Sequence, residues 1–337
     1  MSQYYYNPFG NSSVNEERER LFLRKQQEKK EKSEIRLISF TMGCAIIAYI
    51  LMQSVAVSVM AIFGWYDLYN ESPVFQSAFN IIGISFLSVA VPFGIMALIN
   101  KKRYAYPVIP SKPVKASKCF AWVCFGMMCS SVANMSVSYI FTFLQALFDV
   151  EFTRGSALEP NSAFSCVMLV FSTAVAPAIC EEFAMRCCSL QLLRKYGKGF
   201  AVAAVSIVFG LLHGNLVQFV FAFVVGLVLA YITVQTDSVV PAVLVHGLSN
   251  GISVTNSVLN YAAGEKIAEY SVIAIYLLWI IAGALCGVYL LFKGGFKRTD
   301  DRKQSVLTTG QKFVSFLFPW MIIPFVILIY FTAKSIV

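Results

Sequence analysis

The sequence predicts an all-α fold, a polytopic transmembrane bundle of about eight or nine helices. Its 337 residues are 58% hydrophobic and only 13% charged, whereas soluble domains carry about 25% charged residues. The mean hydropathy is +0.68, and the apolar residues fall into long runs separated by short polar segments. These observations disfavour a soluble enzyme, a disordered regulator and a secreted disulfide scaffold.

The elements follow one another in four groups. Residues 1–36 form a polar, charged cytosolic tail, solvated and rich in helix-forming residues, without the apolar centre of a signal peptide. The groups after it are N-terminal transmembrane helices in 37–148, a core in 160–255 and C-terminal transmembrane helices in 271–337. A span needs about 20 apolar residues. The segments near that length are 37–63, 74–98, 119–148, 164–193, 200–213, 216–234, 239–258, 271–292 and 313–331.

The basic residues are distributed unevenly over the connecting segments. If the N-terminus is cytosolic, all of the 27 Lys and Arg residues except Arg154, Lys266 and Lys334 lie on the cytosolic side, in segments 1–36, 101–118, 186–198 and 293–312. Of these, only Arg186 lies inside an apolar segment. This bias follows the positive-inside rule and explains the net charge of +9 without a nucleic-acid partner. We expect a multi-pass protein of the plasma membrane with a cytosolic N-terminus, in contact with the lipid bilayer. The tail without targeting features suits a bacterial cell.

The nine cysteines lie within or at the edges of the apolar segments and form no CxxC motif. Cysteine is among the most readily buried residues. Packing therefore explains these side chains better than disulfides or a cysteine metal site does.

Five ionisable residues remain inside the apolar segments, and they include both histidines of the chain: Glu181, Glu182, Arg186, His213 and His246. Such residues are costly in a bilayer, face the interior of a bundle and usually mark function. The rise of a helix places Glu181, His213 and Asn250 about 20 Å from the cytosolic edge, and His246 about 14 Å from it. We therefore expect these groups to meet in one layer.

The spacings separate the roles of these residues. Glu182 and Arg186 are four residues apart, so they share a helix face and are expected to pair. Glu181 points about 100° away from that face and keeps no partner on its own helix. It is the better candidate for a free, reactive carboxylate. His246 and Asn250 share a face on another helix, and the Phe209 ring is expected to pack beside His213.

Two further features complete the pattern, a proline and the strings around these residues. Pro177 lacks an amide proton and is expected to kink its helix just before Glu181. Three strings resemble the EExxxR, FxxxH and HxxxN motifs of the CAAX-protease and bacteriocin-processing (CPBP, or Abi) family of intramembrane proteases. They are Glu181-Glu182-Phe-Ala-Met-Arg186, Phe209-Gly-Leu-Leu-His213 and His246-Gly-Leu-Ser-Asn250. The resemblance covers about residues 160–255 and includes the type II CAAX prenyl endopeptidases.

The resemblance implies catalytic roles for four residues. Glu181 would be the general base that activates water, His213 would hold that water, and His246 and Asn250 would stabilise the oxyanion. Glu182, Arg186 and Phe209 would support the site. The implied substrate is a membrane-associated or lipidated peptide or protein. Bacterial members of the family are linked with bacteriocin maturation and self-immunity.

Several alternatives stay open at this point. Glu181, His213 and His246 would also make a zinc site with an open water position, although we prefer a reaction that needs no cofactor. Buried Glu and His residues also serve proton-coupled transporters. A scaffold or a self-immunity factor would keep the same residues and act by binding. In a purely structural interpretation, the five ionisable residues only hold the helices together.

Overall fold

The computed structural model describes residues 12–152, 158–296 and 305–336. Within these ranges the chain forms eleven helices and no strands, apart from two isolated bridges. The helices are α1 Ser12–Ile62, α2 Tyr66–Glu71, α3 Pro73–Ile99, α4 Ala116–Phe148, α5 Ala163–Tyr196, α6 Lys198–Leu211, α7 Leu216–Thr236, α8 Val240–Ala263, α9 Glu265–Phe292, α10 Thr309–Leu317 and α11 Ile322–Ala333. The all-α transmembrane bundle is confirmed.

The described residues form more helices than the eight or nine that the sequence predicts, and two local features account for the difference. α2 is a short helix in a connecting segment, and the last apolar segment is broken by an 82° bend into α10 and α11. In the described part of the chain, six helices are long and apolar enough to cross a membrane, and the bent pair makes a seventh if it counts as one span. α6 has only 14 residues, and α8 has 24 but is too polar to qualify.

The charged tail continues into the first span as a single helix. α1 runs unbroken from Ser12 to Ile62, and residues 15–27 of it are exposed. At the base of this extension, the Glu34 carboxylate accepts hydrogen bonds from Lys195 Nζ at 3.0 Å and from the Tyr196 hydroxyl at 2.6 Å. These contacts tie α1 to the C-terminal end of α5.

α5 is continuous but has an irregular hydrogen-bond ladder. Residues 171–175 and 183–189 form π-helical turns on either side of a regular stretch that contains Pro177 and both glutamates. α5 spans Ala163–Tyr196 as a single helix, and the kink expected at Pro177 stays a prediction. Such π-helical turns are frequent at functional sites because they re-aim the side chains on one helix face.

α6 and α7 form a helical hairpin that packs in the centre of the bundle. Because α6 has 14 residues, it is only about 21 Å long. The turn between α6 and α7, residues 212–215, includes Gly214 with φ +67°. Asn215 then caps α7, because its side chain accepts a hydrogen bond from Gln218 N at 2.8 Å. His213 therefore lies in the turn of the hairpin.

Candidate active site

The site is built on a buried ion pair within α5. Arg186 Nε lies 3.0 Å from Glu182 Oε2, and neither side chain is exposed to solvent. The guanidinium carbon lies 4.6 Å from the centre of the Phe209 ring on α6, and Arg186 Nη2 donates to the Gly226 carbonyl on α7. The expected i,i+4 pair is present, and it links three helices.

The second oxygen of Glu182 holds His246 on α8. His246 Nδ1 lies 2.9 Å from Glu182 Oε1, in a contact that is fully buried on the glutamate side. A carboxylate oxygen only accepts hydrogen bonds, so Nδ1 carries the proton and the orientation of the ring is fixed. The Nε2 atom of His246 is turned towards Glu181.

Glu181 has a different environment from its neighbour. Its Oε2 atom lies 3.8 Å from His246 Nε2, and its side chain is 25% exposed. Among the described residues this buried oxygen makes no hydrogen bond. The adjacent glutamates therefore differ in how closely they are paired. Both oxygens of Glu182 have an ion-pair partner at 3.0 Å or less, whereas Glu181 Oε2 has only His246 Nε2 at 3.8 Å.

Glu181 opens into a cavity of about 170 Å³ that five helices and one turn surround. Most of its wall is apolar, and its polar side chains are those of Tyr49, Glu181, His213 and Gln218. The lining residues are Tyr49, Val89, Glu181, Met185, Phe209, Leu212, His213 and Gln218. The cavity can therefore bring a small polar group, such as water or a peptide bond, to the carboxylate and the imidazole.

The backbone carbonyl of Phe209, four residues earlier, orients the His213 ring. Its Nδ1 donates to the Phe209 carbonyl at 2.9 Å, which leaves Nε2 as the free nitrogen of the ring. The Phe209 ring lies edge-on to both imidazoles, with centroid distances of 5.0 Å to His213 and 5.8 Å to His246. The expected packing of Phe209 beside His213 is confirmed, and the same ring also contacts His246.

Asn250 contacts α5 beside Pro177. Pro177 has no amide proton, so the Thr173 carbonyl, four residues earlier, cannot receive the usual helical hydrogen bond from it. Asn250 Nδ2 donates to this carbonyl at 3.1 Å. One amide hydrogen of Asn250 is therefore engaged with the backbone of α5.

The structure brings most of the sequence-predicted residues into one cluster. Glu181, Glu182, Arg186, Phe209 and His246 are linked by direct contacts, and His213 joins them through Phe209 and the cavity. His246 and Asn250 are not among the residues that line the cavity. Which of these residues act in catalysis stays a prediction.

Two polar residues of the cavity lie outside the motifs. Tyr49 comes from α1, and Gln218 comes from the first turn of α7. No spacing rule connects Tyr49 with the glutamates, because it lies more than 130 residues earlier in the chain. The only signal in the sequence was a tyrosine inside an otherwise apolar segment.

The same geometry bears on metal binding. The three residues of the possible zinc site, Glu181, His213 and His246, have one free nitrogen on each ring and a free carboxylate oxygen. However, no group of three or more His, Cys, Asp or Glu side chains in the described ranges is close enough to hold a metal ion. In this arrangement the three side chains do not form a ligand set.

Comparison with known families identifies the region that holds this site. Residues 163–252 match the family model described as type II CAAX prenyl endopeptidase Rce1-like. These residues are an Rce1-like domain. No curated protein and no solved structure matches the chain.

The Rce1-like domain contains α5, α6, α7 and the first half of α8, and thus every residue of the three motifs. The match covers 90 of the 337 residues and supports the resemblance to the CPBP family of membrane-embedded proteases. Together with the apolar helices, it establishes a multi-pass membrane protein. The helices before and after it lie outside the match.

Proposed function

We propose that this protein is an intramembrane endopeptidase that hydrolyses peptide bonds of membrane-associated or lipidated peptides and proteins. One observation carries the proposal: Glu181, within the Rce1-like domain, keeps a buried carboxylate oxygen that makes no hydrogen bond to the described residues. That oxygen lies 3.8 Å from His246 Nε2, and its carboxylate shares a cavity with His213. A carboxylate with an available oxygen beside two oriented imidazoles can act as a general base towards water.

In the proposed reaction, water is held between the Glu181 carboxylate and His213 Nε2. The Glu181 carboxylate takes one proton as the water oxygen bonds to the peptide carbonyl carbon. The resulting tetrahedral intermediate collapses with cleavage of the C–N bond, and protonated Glu181 passes its proton to the leaving amine. The immediate products are a carboxylic acid, which keeps the second proton of the water, and a free amine. The acid then passes its proton to the amine, so the base is regenerated and all atoms balance.

We assign stabilisation of the oxyanion to His246 and Asn250. Because Nδ1 of His246 is held by Glu182, donation to the oxyanion has to come from a protonated Nε2. The carboxylates of Glu181 and Glu182 flank the ring and would balance the charge of that imidazolium. Asn250 would contribute its second amide hydrogen. Arg186 and Phe209 act at a distance by holding Glu182 and the rings in place.

We propose that the reaction needs no catalytic metal. The donor atoms of Glu181, His213 and His246 do not form a compact ligand set, and a glutamate base is sufficient for hydrolysis. Zinc analysis of the purified protein tests this assignment. Stoichiometric zinc that is lost together with activity in His213→Ala would overturn it.

We further propose that the N-terminus lies in the cytosol of a bacterial cell and that the protein resides in the plasma membrane. The distribution of Lys and Arg supports this orientation. An impermeant label applied to intact cells should react with a single cysteine introduced at Glu265, at the start of α9, and not with one introduced at Glu16, in a background without native cysteines. The reverse pattern would overturn the orientation.

Comparative membrane proteomics of cells that carry the wild type or Glu181→Gln tests the proposed function while the substrate is still unidentified. We expect an uncleaved peptide or protein to accumulate only with the variant. Glu269→Gln, which changes an exposed glutamate on α9, should behave as the wild type. If Glu181→Gln causes no accumulation but fully restores a deletion strain, the protein acts as a scaffold or a self-immunity factor. Solute uptake by proteoliposomes would instead indicate a transporter.

A further inference from the structure

Tyr49 enters the active-site cavity from α1, a helix outside the Rce1-like domain. Its side chain is 8% exposed and lines the cavity together with Glu181 and His213. The Tyr49 hydroxyl donates a hydrogen bond to the Leu212 carbonyl at 2.8 Å, across 163 residues of sequence. This contact is with the backbone of the residue immediately before His213.

The Leu212 carbonyl lies just past the C-terminal end of α6, where backbone carbonyls lack amide donors within the helix. The last four carbonyls of a helix have no amide donors within the helix, and α6 ends at Leu211. The following residues turn sharply through Gly214, whose φ is +67°. The Tyr49 hydroxyl thus supplies a donor at the point where the backbone leaves the helix and the orientation of the His213 ring is decided.

The side chain of Gln53, one turn further along α1, lies beside the Tyr49 hydroxyl. Because a carbonyl only accepts, the hydroxyl hydrogen is directed to Leu212, and Gln53 can donate only to the hydroxyl oxygen. Gln53 is thus placed to support the contact between α1 and the turn.

We propose that Tyr49 is a positioning residue, which fixes the turn at 212–215 so that His213 Nε2 faces the water held by Glu181. Its effect on turnover rests on the proposed function, but its effect on the His213 ring does not. Loss of the hydroxyl leaves the ring of Tyr49 in the cavity wall and removes only the tie to the turn. The first helix is thus a functional part of the site.

Nitrogen NMR of the two histidines tests the structural part directly. The chain contains only two histidines, so protein labelled with ¹⁵N-histidine in detergent micelles gives two imidazole spin systems, assigned by the loss of one in His246→Gln. In Tyr49→Phe we expect the ring signals of His213 to shift or broaden while those of His246 stay unchanged. Tyr139→Phe, at a site that is 72% exposed, should leave both unchanged.

Turnover of the substrate that accumulates with Glu181→Gln gives the second readout. We expect Tyr49→Phe to lower kcat about tenfold, the effect of one lost hydrogen bond, with KM nearly unchanged. Unaltered His213 signals in folded Tyr49→Phe would overturn the proposal, and so would an unaltered kcat. If Tyr49→Phe does not fold, Gln53→Leu is measured in its place, and unaltered His213 signals there would equally overturn it. Failure to find any substrate would count against the protease and leave the NMR result to decide on Tyr49.

Discussion

His246 Nδ1 lies 2.9 Å from Glu182 Oε1, and this contact joins residues 64 positions apart. It makes Glu182 the common partner of His246 and Arg186, whose Nε lies 3.0 Å from the other carboxylate oxygen. The second glutamate of the pair is therefore the structural centre of the site, whereas the first has only the longer contact of 3.8 Å with His246 Nε2.

Removing Glu182 should destabilise the protein strongly. Glu182→Leu leaves Arg186 buried without its carboxylate, and loss of one partner of a buried ion pair costs about 3–5 kcal/mol. The free energy of unfolding in detergent micelles measures this loss. The double variant Glu182→Leu/Arg186→Leu should recover part of it, because no unpaired charge remains. A double variant less stable than the single one would contradict this account of the pair.

Asn250 and Pro177 should be energetically coupled through the Thr173 carbonyl. Asn250→Ala removes the donor to that carbonyl and should cost about 1–3 kcal/mol of stability. In a Pro177→Ala background, residue 177 supplies an amide proton, so the cost of Asn250→Ala should fall by about 1 kcal/mol. Thermal or chemical unfolding of the four proteins in this double-mutant cycle gives the coupling. Strictly additive effects would show that the two residues do not share the carbonyl.

The same pair of variants separates stability from chemistry. If Asn250 stabilises the oxyanion, Pro177→Ala/Asn250→Ala should regain stability relative to Asn250→Ala but remain impaired in turnover. Recovery of both stability and turnover would assign to Asn250 a purely structural role.

Phe209→Leu should weaken the site without removing any charged or hydrogen-bonding group. The ring lies against the Arg186 guanidinium and edge-on to both histidines, so its loss should cost about 1–3 kcal/mol of stability. The substitution should also shift the imidazole signals of His213 and His246 together. Phe292→Leu, at a site that is 86% exposed, is the control and should change neither quantity.

Gly283→Ala should disrupt the contact between α4 and α9. A Cβ atom at this position would lie 2.2 Å from Met128 Cβ and 2.4 Å from the Cys124 carbonyl oxygen, so the helices would have to separate. Gly283 and Gly287 are spaced as in the small-residue motifs that let membrane helices approach closely. We expect a lower melting temperature for Gly283→Ala. Gly251→Ala, in a helix position with nothing within 4 Å, should be neutral or slightly stabilising.

The sequence was sufficient for the local part of the site. The Glu182–Arg186 pair and the packing of Phe209 on His213 follow from the helical repeat alone, since each joins residues four positions apart. The equal depth of Glu181 and His213 followed from the rise of the helix, and the two do line one cavity. Periodicity was enough for partners four positions apart, even though His213 lies just past the end of α6, in the turn at 212–215.

Contacts between different helices could not be predicted from the helical repeat. Nothing in the spacing of residues indicates that Glu182 rather than Glu181 binds His246 Nδ1, because this depends on how α5 and α8 are rotated against each other. The π-helical turns in α5 add to that rotation. The contact of Tyr49 with Leu212 likewise depends on the path of α1 through the bundle.

The polarity of α8 has a consequence for how the protein is made. This helix has the length of a span but not the hydropathy, because it carries His246, Asn250 and several serines into the bilayer. A nascent α8 is therefore poorly retained in lipid by itself. Its His246 and Asn250 find partners on α5 and its Ser249 finds one on α4, and both of these helices leave the ribosome earlier. Insertion of α8 is thus coupled to its docking on α5 and α4. A chain interrupted before α8 holds the proposed base but lacks His246, so hydrolytic competence arises only after this late step of biogenesis.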